Sequence, residues 1–304
     1  MEKILNLDAI SYIYTFLNNR EIIHTLNTCK YLYYYSTFHY TTIIERKTIT
    51  KYKQLDLSKI RLLDYSMCVN NVFEPWILKF NNLIVLDCSE CPFISSIPKL
   101  DNLKKLYCSY CSVLTTIPQL NKLKYLDCSH CLLLTTIPQL NKLTNLDCSH
   151  SPLLVVLSNQ DKLIHLNCYD CNSLEIIHNL DKLKYLNCNN CTSLKLIDQT
   201  INLIKLICHE CFSLEIIPLG LNNLKYLNCY ECFSIRSIPQ MDKLIELNCS
   251  ECMLLKIIHQ MDSLTEFYCY NCISLEIIPK LENLTEINCG GCLLLKNIPT
   301  ILKK

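Results

Sequence analysis

The sequence predicts an α/β solenoid: short parallel strands stacked into a concave sheet, joined by extended or 3₁₀ return segments and preceded by a small helical domain. Three observations carry this. A 20-residue pattern recurs in register down most of the chain. Two apolar positions in each unit stand two residues apart, the spacing of one face of a strand. The first 45 residues lack the pattern and place apolar side chains at helical spacing instead.

The chain has 304 residues, half of them hydrophobic, which is ample for a continuous core. Formal net charge is +1, so no global field draws in nucleic acid or an anionic membrane, and neither is expected as a partner. The start, Met1-Glu2-Lys3-Ile4-Leu5, does not read as a secretory signal. No apolar run approaches the roughly 20 residues that span a bilayer. The cysteines are therefore expected in a reducing compartment, cytosol or nucleus, and an odd total of 23 argues against a fully paired disulfide framework.

In chain order, Ile10, Ile13, Phe16 and Leu17 mark a first helix, which Asn18-Asn19-Arg20 interrupts. Ile22, Ile23 and Leu26 begin a second, and Leu32 belongs to a third. Residues 1–45 form this helical domain, 46–59 read as a bridge, and 60–304 as about twelve repeats.

The repeat is Leu-x-x-Leu-x-Cys-x-x-Cys-x-x-Leu-x-x-Ile-Pro-x-Leu-x-x. Full units start every 20 residues from Leu83 to Leu284, except for a step of 21 between Leu203 and Leu224, with the extra residue near Gly220. A degenerate unit, Ile60 to Cys68, leads into Leu83. Positions 4 and 6 point to one strand face and position 5 to the other. About eleven residues remain for the return, too few for a long helix with two turns. Proline at position 16, as in Pro98, Pro118 and Pro138, fixes the bend in most units. One unit cannot bury its own apolar face, so stability comes from stacking neighbours.

This period and pattern resemble the leucine-rich repeat, with Cys in place of the sixth-position Leu. The resemblance covers about four-fifths of the chain. It implies a horseshoe whose concave face binds another macromolecule. At the N-terminus, Leu5-Asn6-Leu7-Asp8-Ala9-Ile10, then Ile13-Tyr14-Thr15-Phe16-Leu17, Glu21-Ile22 and Cys29-Lys30-Tyr31-Leu32 resemble an F-box. Asn6 stands where that family has proline. The resemblance implies that Leu5, Ile10, Ile13, Phe16 and Leu17 contact a Skp-type adaptor, as in F-box proteins with leucine-rich repeats, substrate receptors of cullin-RING ubiquitin ligases. Read from the residues alone, the alternative is that the same segment caps the first repeat.

Ten units carry Cys-x-x-Cys, from Cys88 and Cys91 to Cys289 and Cys292; the unit at Leu143 has Cys148 but Ser151. Paired Cys-x-x-Cys can signal zinc. Here the repeat accounts for both positions: position 6 faces inward on the strand and position 9 inward at its exit, where a small residue with a weak donor suffices. Buried thiol ladders, with no metal or cofactor, are the expectation.

Positions 3, 5, 7 and 8 are expected to face the concave side or its rim. They carry Tyr107, Tyr110, Tyr125, Tyr169, Tyr185, Tyr226, Tyr230, Tyr268 and Tyr270, a residue type favoured at interfaces. Glu246, Glu266 and Glu286 stack at position 3 near the end, where like charges repel. Asparagines at position 5 could form an amide ladder, and His130 and His150 occupy adjacent units. No nucleophile elbow, phosphate cradle or His-Glu-x-x-His pattern is present, so binding rather than catalysis is expected. The leading expectation is an F-box substrate receptor; the alternative is a stand-alone binding solenoid.

Overall fold

A computed structural model of the chain describes residues 43–45, 61–68, 73, 75–178, 180–198 and 200–297. Each full unit supplies one three-residue strand at positions 3–5, from Val85–Asp87 to Glu286–Asn288. With two earlier strands these make a 13-stranded sheet in sequence order, paired in parallel throughout. Register runs without shear: Val85 pairs with Lys105, Lys105 with Tyr125, and so on to Glu266 with Glu286. Every unit position thus becomes a column of side chains, one per rung, about 4.8 Å apart. The extra residue before Leu224 leaves the register intact, since Lys205 still pairs with Tyr226. It is taken up beside Gly220, whose φ of 77° suits a residue without a Cβ.

The sheet begins one strand before the degenerate unit. Ile43–Glu45 pairs in parallel with Leu62–Asp64, within the tail of the segment expected to be helical. The F-box-like residues Leu5, Ile10, Ile13, Phe16 and Leu17 lie outside the described residues. Among the described residues there is no α-helix; Pro75–Lys79 forms a 3₁₀ turn.

That 3₁₀ turn lies in the long spacer ahead of Leu83, not in a regular return segment. The regular returns are extended, and several pair across rungs: Thr136–Ile137 with Val156–Leu157, Ile176–Ile177 with Leu196–Ile197, and Ser237–Ile238 with Ile257–Ile258. The reason is local. Positions 14 and 15 put one side chain out and one in, as with exposed Ile257 and buried Ile258, a strand alternation that β-branched residues favour.

The core runs the length of the stack. In the unit at Leu123 the inward set is Leu123, Leu126, Cys128, Cys131, Leu134, Ile137 and Leu140, all buried. Where position 18 is Gln160, the buried amide is satisfied: its oxygen accepts from Leu140 N at 3.0 Å and its nitrogen donates to the Pro138 carbonyl at 2.9 Å.

Position 8 holds a feature not foreseen from the sequence. It is left-handed in unit after unit, from Met67 (φ 55°) and Glu90 (56°) to Asn271 (56°), and only the last unit meets it with Gly291. A left-handed non-glycine residue costs roughly 1–2 kcal/mol. The turn persists because the next rung holds it: Glu90 N donates to the Ser109 carbonyl and Tyr110 N to that of Ser129, at 2.8 and 2.9 Å.

Candidate functional site: the concave face

Position 5 is where the strand hands over to the left-handed turn, and its side chain fixes that handover. Asp127 Oδ1 accepts from Ser129 N at 3.1 Å and from Ser129 Oγ at 2.8 Å. Asn187 and Asn248 accept likewise from the N–H two residues on. Where position 5 is Asp or Asn, the expected amide ladder is thus largely replaced by turn closure within the unit, with one cross-rung link, Asn167 Nδ2 donating to Asp147 Oδ2 at 2.9 Å. Asp87 and Asp127 are pushed up from the ordinary carboxylate range by burial, which outweighs the serine hydrogen bonds.

Position 3 faces the concavity. His165 and Tyr185 stack with centroids 4.5 Å apart, and Lys205 Nζ lies 4.3 Å above the Tyr226 ring. Tyr107 of position 5 meets Tyr125 of the next rung at 5.0 Å. Burial, then the Asp127 carboxylate, push Tyr125 up to about 12. Tyr125, Asn145, His165, Tyr185 and Lys205 line a shallow depression of about 340 Å³ in the middle of the face. Towards the C-terminal end Glu246, Glu266 and Glu286 stand in register. Burial raises the Glu246 pKa, Glu266 adds to this, and Lys205 opposes it.

The rim column at position 8 is continuous as well. Tyr110 stacks on His130 and His130 on His150, each at 4.1 Å, and His150 Nδ1 lies 3.0 Å from Asp170 Oδ2. Of the nine tyrosines expected on this side, Tyr110, Tyr185 and Tyr270 are exposed. Tyr107, Tyr125, Tyr169, Tyr226, Tyr230 and Tyr268 are half-buried against neighbouring rungs. The downstream flank, reached after the strand ends, carries a pair that the sequence reading missed: Phe212 and Phe233 at position 10, stacked at 5.1 Å. Their equal place in consecutive units was the signal.

The described cysteines are free thiols. They form two ladders that run in opposite directions. From Cys88 to Cys168 position 6 reaches forward, Cys88 Sγ donating to the Tyr107 carbonyl at 3.4 Å and Cys168 Sγ to that of Asn187 at 3.5 Å. Position 9 reaches back, Cys111 Sγ to the Cys88 carbonyl at 3.1 Å and Cys171 Sγ to that of Cys148 at 3.1 Å. Ser151 makes the same bond to the Cys128 carbonyl, at 3.4 Å. Burial pushes Cys91 up to about 12 and Cys128 well above an ordinary thiol, which disfavours the thiolate that metals and electrophiles require.

No protein-family model matches the chain, and no curated protein resembles it at a significant level. Solved structures do. A leucine-rich-repeat protein from Bacteroides ovatus superposes with a TM-score of 0.52 at 20% identity, over 77% of this chain and 69% of that one. The fold is a leucine-rich-repeat solenoid. Looser similarity extends to YopM from Yersinia enterocolitica, with TM-score 0.42 and 18% identity over 82% of this chain and 63% of that one. A leucine-rich-repeat protein from Leptospira interrogans gives 0.24 and 14% over 80% and 95%. Within this leucine-rich-repeat solenoid, no group of three or more His, Cys, Asp or Glu is placed to hold a metal among the described residues. No described helix is long and apolar enough to cross a membrane.

Proposed function

We propose that this leucine-rich-repeat solenoid is a protein-interaction scaffold that holds a target protein on its concave face, and that its N-terminal segment recruits a Skp-type adaptor of a cullin-RING ubiquitin ligase. The observation that carries the first part is the unbroken register, which turns Tyr125, His165, Tyr185, Tyr226 and the Glu246–Glu266–Glu286 column into one continuous ordered surface. Rigid tyrosines give contact area at small entropy cost. The second part rests on the F-box resemblance of Leu5, Ile10, Ile13, Phe16 and Leu17. Free, buried thiols favour a reducing cytosol or nucleus as the site of action.

The test is affinity capture with mass spectrometry on paired variants. Tyr125→Ala with Tyr185→Ala is expected to lose the target while retaining the adaptor. Leu5→Ala with Ile10→Ala is expected to lose the adaptor while the solenoid's circular dichroism and melting stay unchanged. An identical protein set captured by wild type and the tyrosine variant would overturn the concave-face assignment. If wild type captures no adaptor and the Leu5/Ile10 variant melts at a much lower temperature, the segment is a cap and the protein a stand-alone binding solenoid.

A further inference from the structure

We infer that copies of this chain associate side by side, a lysine ridge on the upstream flank of one copy meeting a carboxylate and phenylalanine column on the downstream flank of the next. The upstream flank is formed by the turn before each strand. Lys122, Lys142, Lys162 and Lys182 occupy position 20 on four consecutive rungs, with Lys104 and Lys124 beside them at position 2, and all six are exposed. Like charges on adjacent rungs repel. On the convex side two of the three position-13 lysines are matched within the chain, Lys195 to Glu175 at 2.9 Å and Lys296 to Glu276 at 2.7 Å. The ridge lysines take part in none of the ion pairs among the described residues. The repeat does not demand them either: further along, position 20 holds Asn202, Asn223, Ser263 and Asn283, with Lys243 the exception.

The opposite flank supplies the complement in the other half of the stack. Glu210, Glu231 and Glu251 stand at position 8 on consecutive rungs, left-handed and half-buried. Two residues on from Glu210 and Glu231, the stacked Phe212 and Phe233 rings are each 37% exposed, and Ile273 continues their column at 42%. A desolvable aromatic pair beside a charged row has the make-up of an interface core with its rim.

Both charged columns inherit their pitch from strand spacing, so lysine and glutamate rungs match one to one over their shared length. The charges are segregated while the net charge is only +1, so little long-range repulsion opposes approach of a second copy. The two columns sit on opposite flanks and in different halves. The contact is therefore head to tail, and it continues from copy to copy instead of closing into a two-fold pair.

Sedimentation velocity on the purified full chain tests the inference without any partner. At about 0.01 M salt, where the screening length is roughly 30 Å, the average mass should rise with protein concentration. At about 0.15 M and above, where it is roughly 8 Å or less, association should weaken steeply. Two charge-reversed variants complete the test: Lys142→Glu with Lys162→Glu and Lys182→Glu, and Glu210→Lys with Glu231→Lys and Glu251→Lys. Each alone has like charges on both flanks and should stay monomeric at low salt; mixed in equal amounts, they should associate again. A wild type that is monomeric at low salt overturns the inference. So does a reversed variant that associates like wild type, or a mixture of the two that stays monomeric although circular dichroism shows both folded.

Discussion

At position 9 the side chain has to be small, point inward and donate one hydrogen bond to a carbonyl of the preceding rung. Thiol and hydroxyl do this differently. The sulfur ladder keeps Sγ to oxygen distances of 2.9 to 3.1 Å at Cys232, Cys111 and Cys171. The Ser151 hydroxyl sits 3.4 Å from the same kind of acceptor, beyond the usual O–H···O range, because oxygen is smaller and its bond to Cβ shorter. That the thiols were buried weak donors was legible from the Cys-x-x-Cys spacing and the Ser151 exception. Which carbonyl each one served was not, since the acceptors lie in neighbouring units. Ser151→Cys should stabilise the protein by about 0.5–1 kcal/mol, through a better-fitted donor and more apolar volume in a fully buried site. Cys171→Ser should cost about 1–2 kcal/mol for the converse reasons. Urea unfolding with an unchanged slope would read both; a destabilised Ser151→Cys would show that the rung at Leu143 is packed around the hydroxyl.

The strand-to-turn element explains which features were hidden in the sequence. Two-residue alternation marked the strands, and the bonds of position 5 to position 7 follow from Asp and Asn chemistry. The left-handed residue at position 8 carried no marker, because glycine is the usual sign and the chain has only 3. The turn is imposed by cross-rung hydrogen bonds, not by residue preference. Within this element Asp127 and Asn187 do the same closing work, yet only Asp127 brings a charge that burial and Asp147 disfavour. Asp127→Asn should therefore keep the turn and stabilise the fold by about 0.5–1 kcal/mol at neutral pH. The sign follows from linkage. Folding raises the Asp127 pKa, so wild type gains stability as pH falls through that raised value, when the carboxyl takes up its proton. The advantage of Asn should thus be largest at neutral pH and shrink on acidification through that window. Urea midpoints measured across the range would decide it; an advantage that grows on acidification would contradict the assigned cause.

At the scale of the whole molecule the fold was legible because the repeat states its own geometry: the period gave the rung, the paired apolar positions gave the strand, and the 21-residue step at Gly220 proved neutral to register. The strand Ile43–Glu45 was not legible, since a single degenerate rung has no neighbours in sequence to compare with. The Phe212–Phe233 flank was overlooked for a related reason: position 10 varies along the chain, and only stacking brings its apolar members together. A molecule built of rungs should also lose structure by rungs, because each is stabilised mainly by the two beside it. The unit at Leu224 buries Leu227, Cys229, Cys232 and Ile235 completely. In the unit at Leu284 the matching residues Ile287, Cys289, Cys292 and Leu295 are only partly buried, and Gly290 and Gly291 add backbone entropy to its turn. Hydrogen exchange should therefore be slowest in the central strands, such as Leu186 and Leu227, and fastest among the full repeats in Glu286–Asn288 and the turn after it. Protection in that last strand equal to the central ones would mean that burial by neighbours does not set local stability here, and that stabilisation reaches the end of the stack from elsewhere.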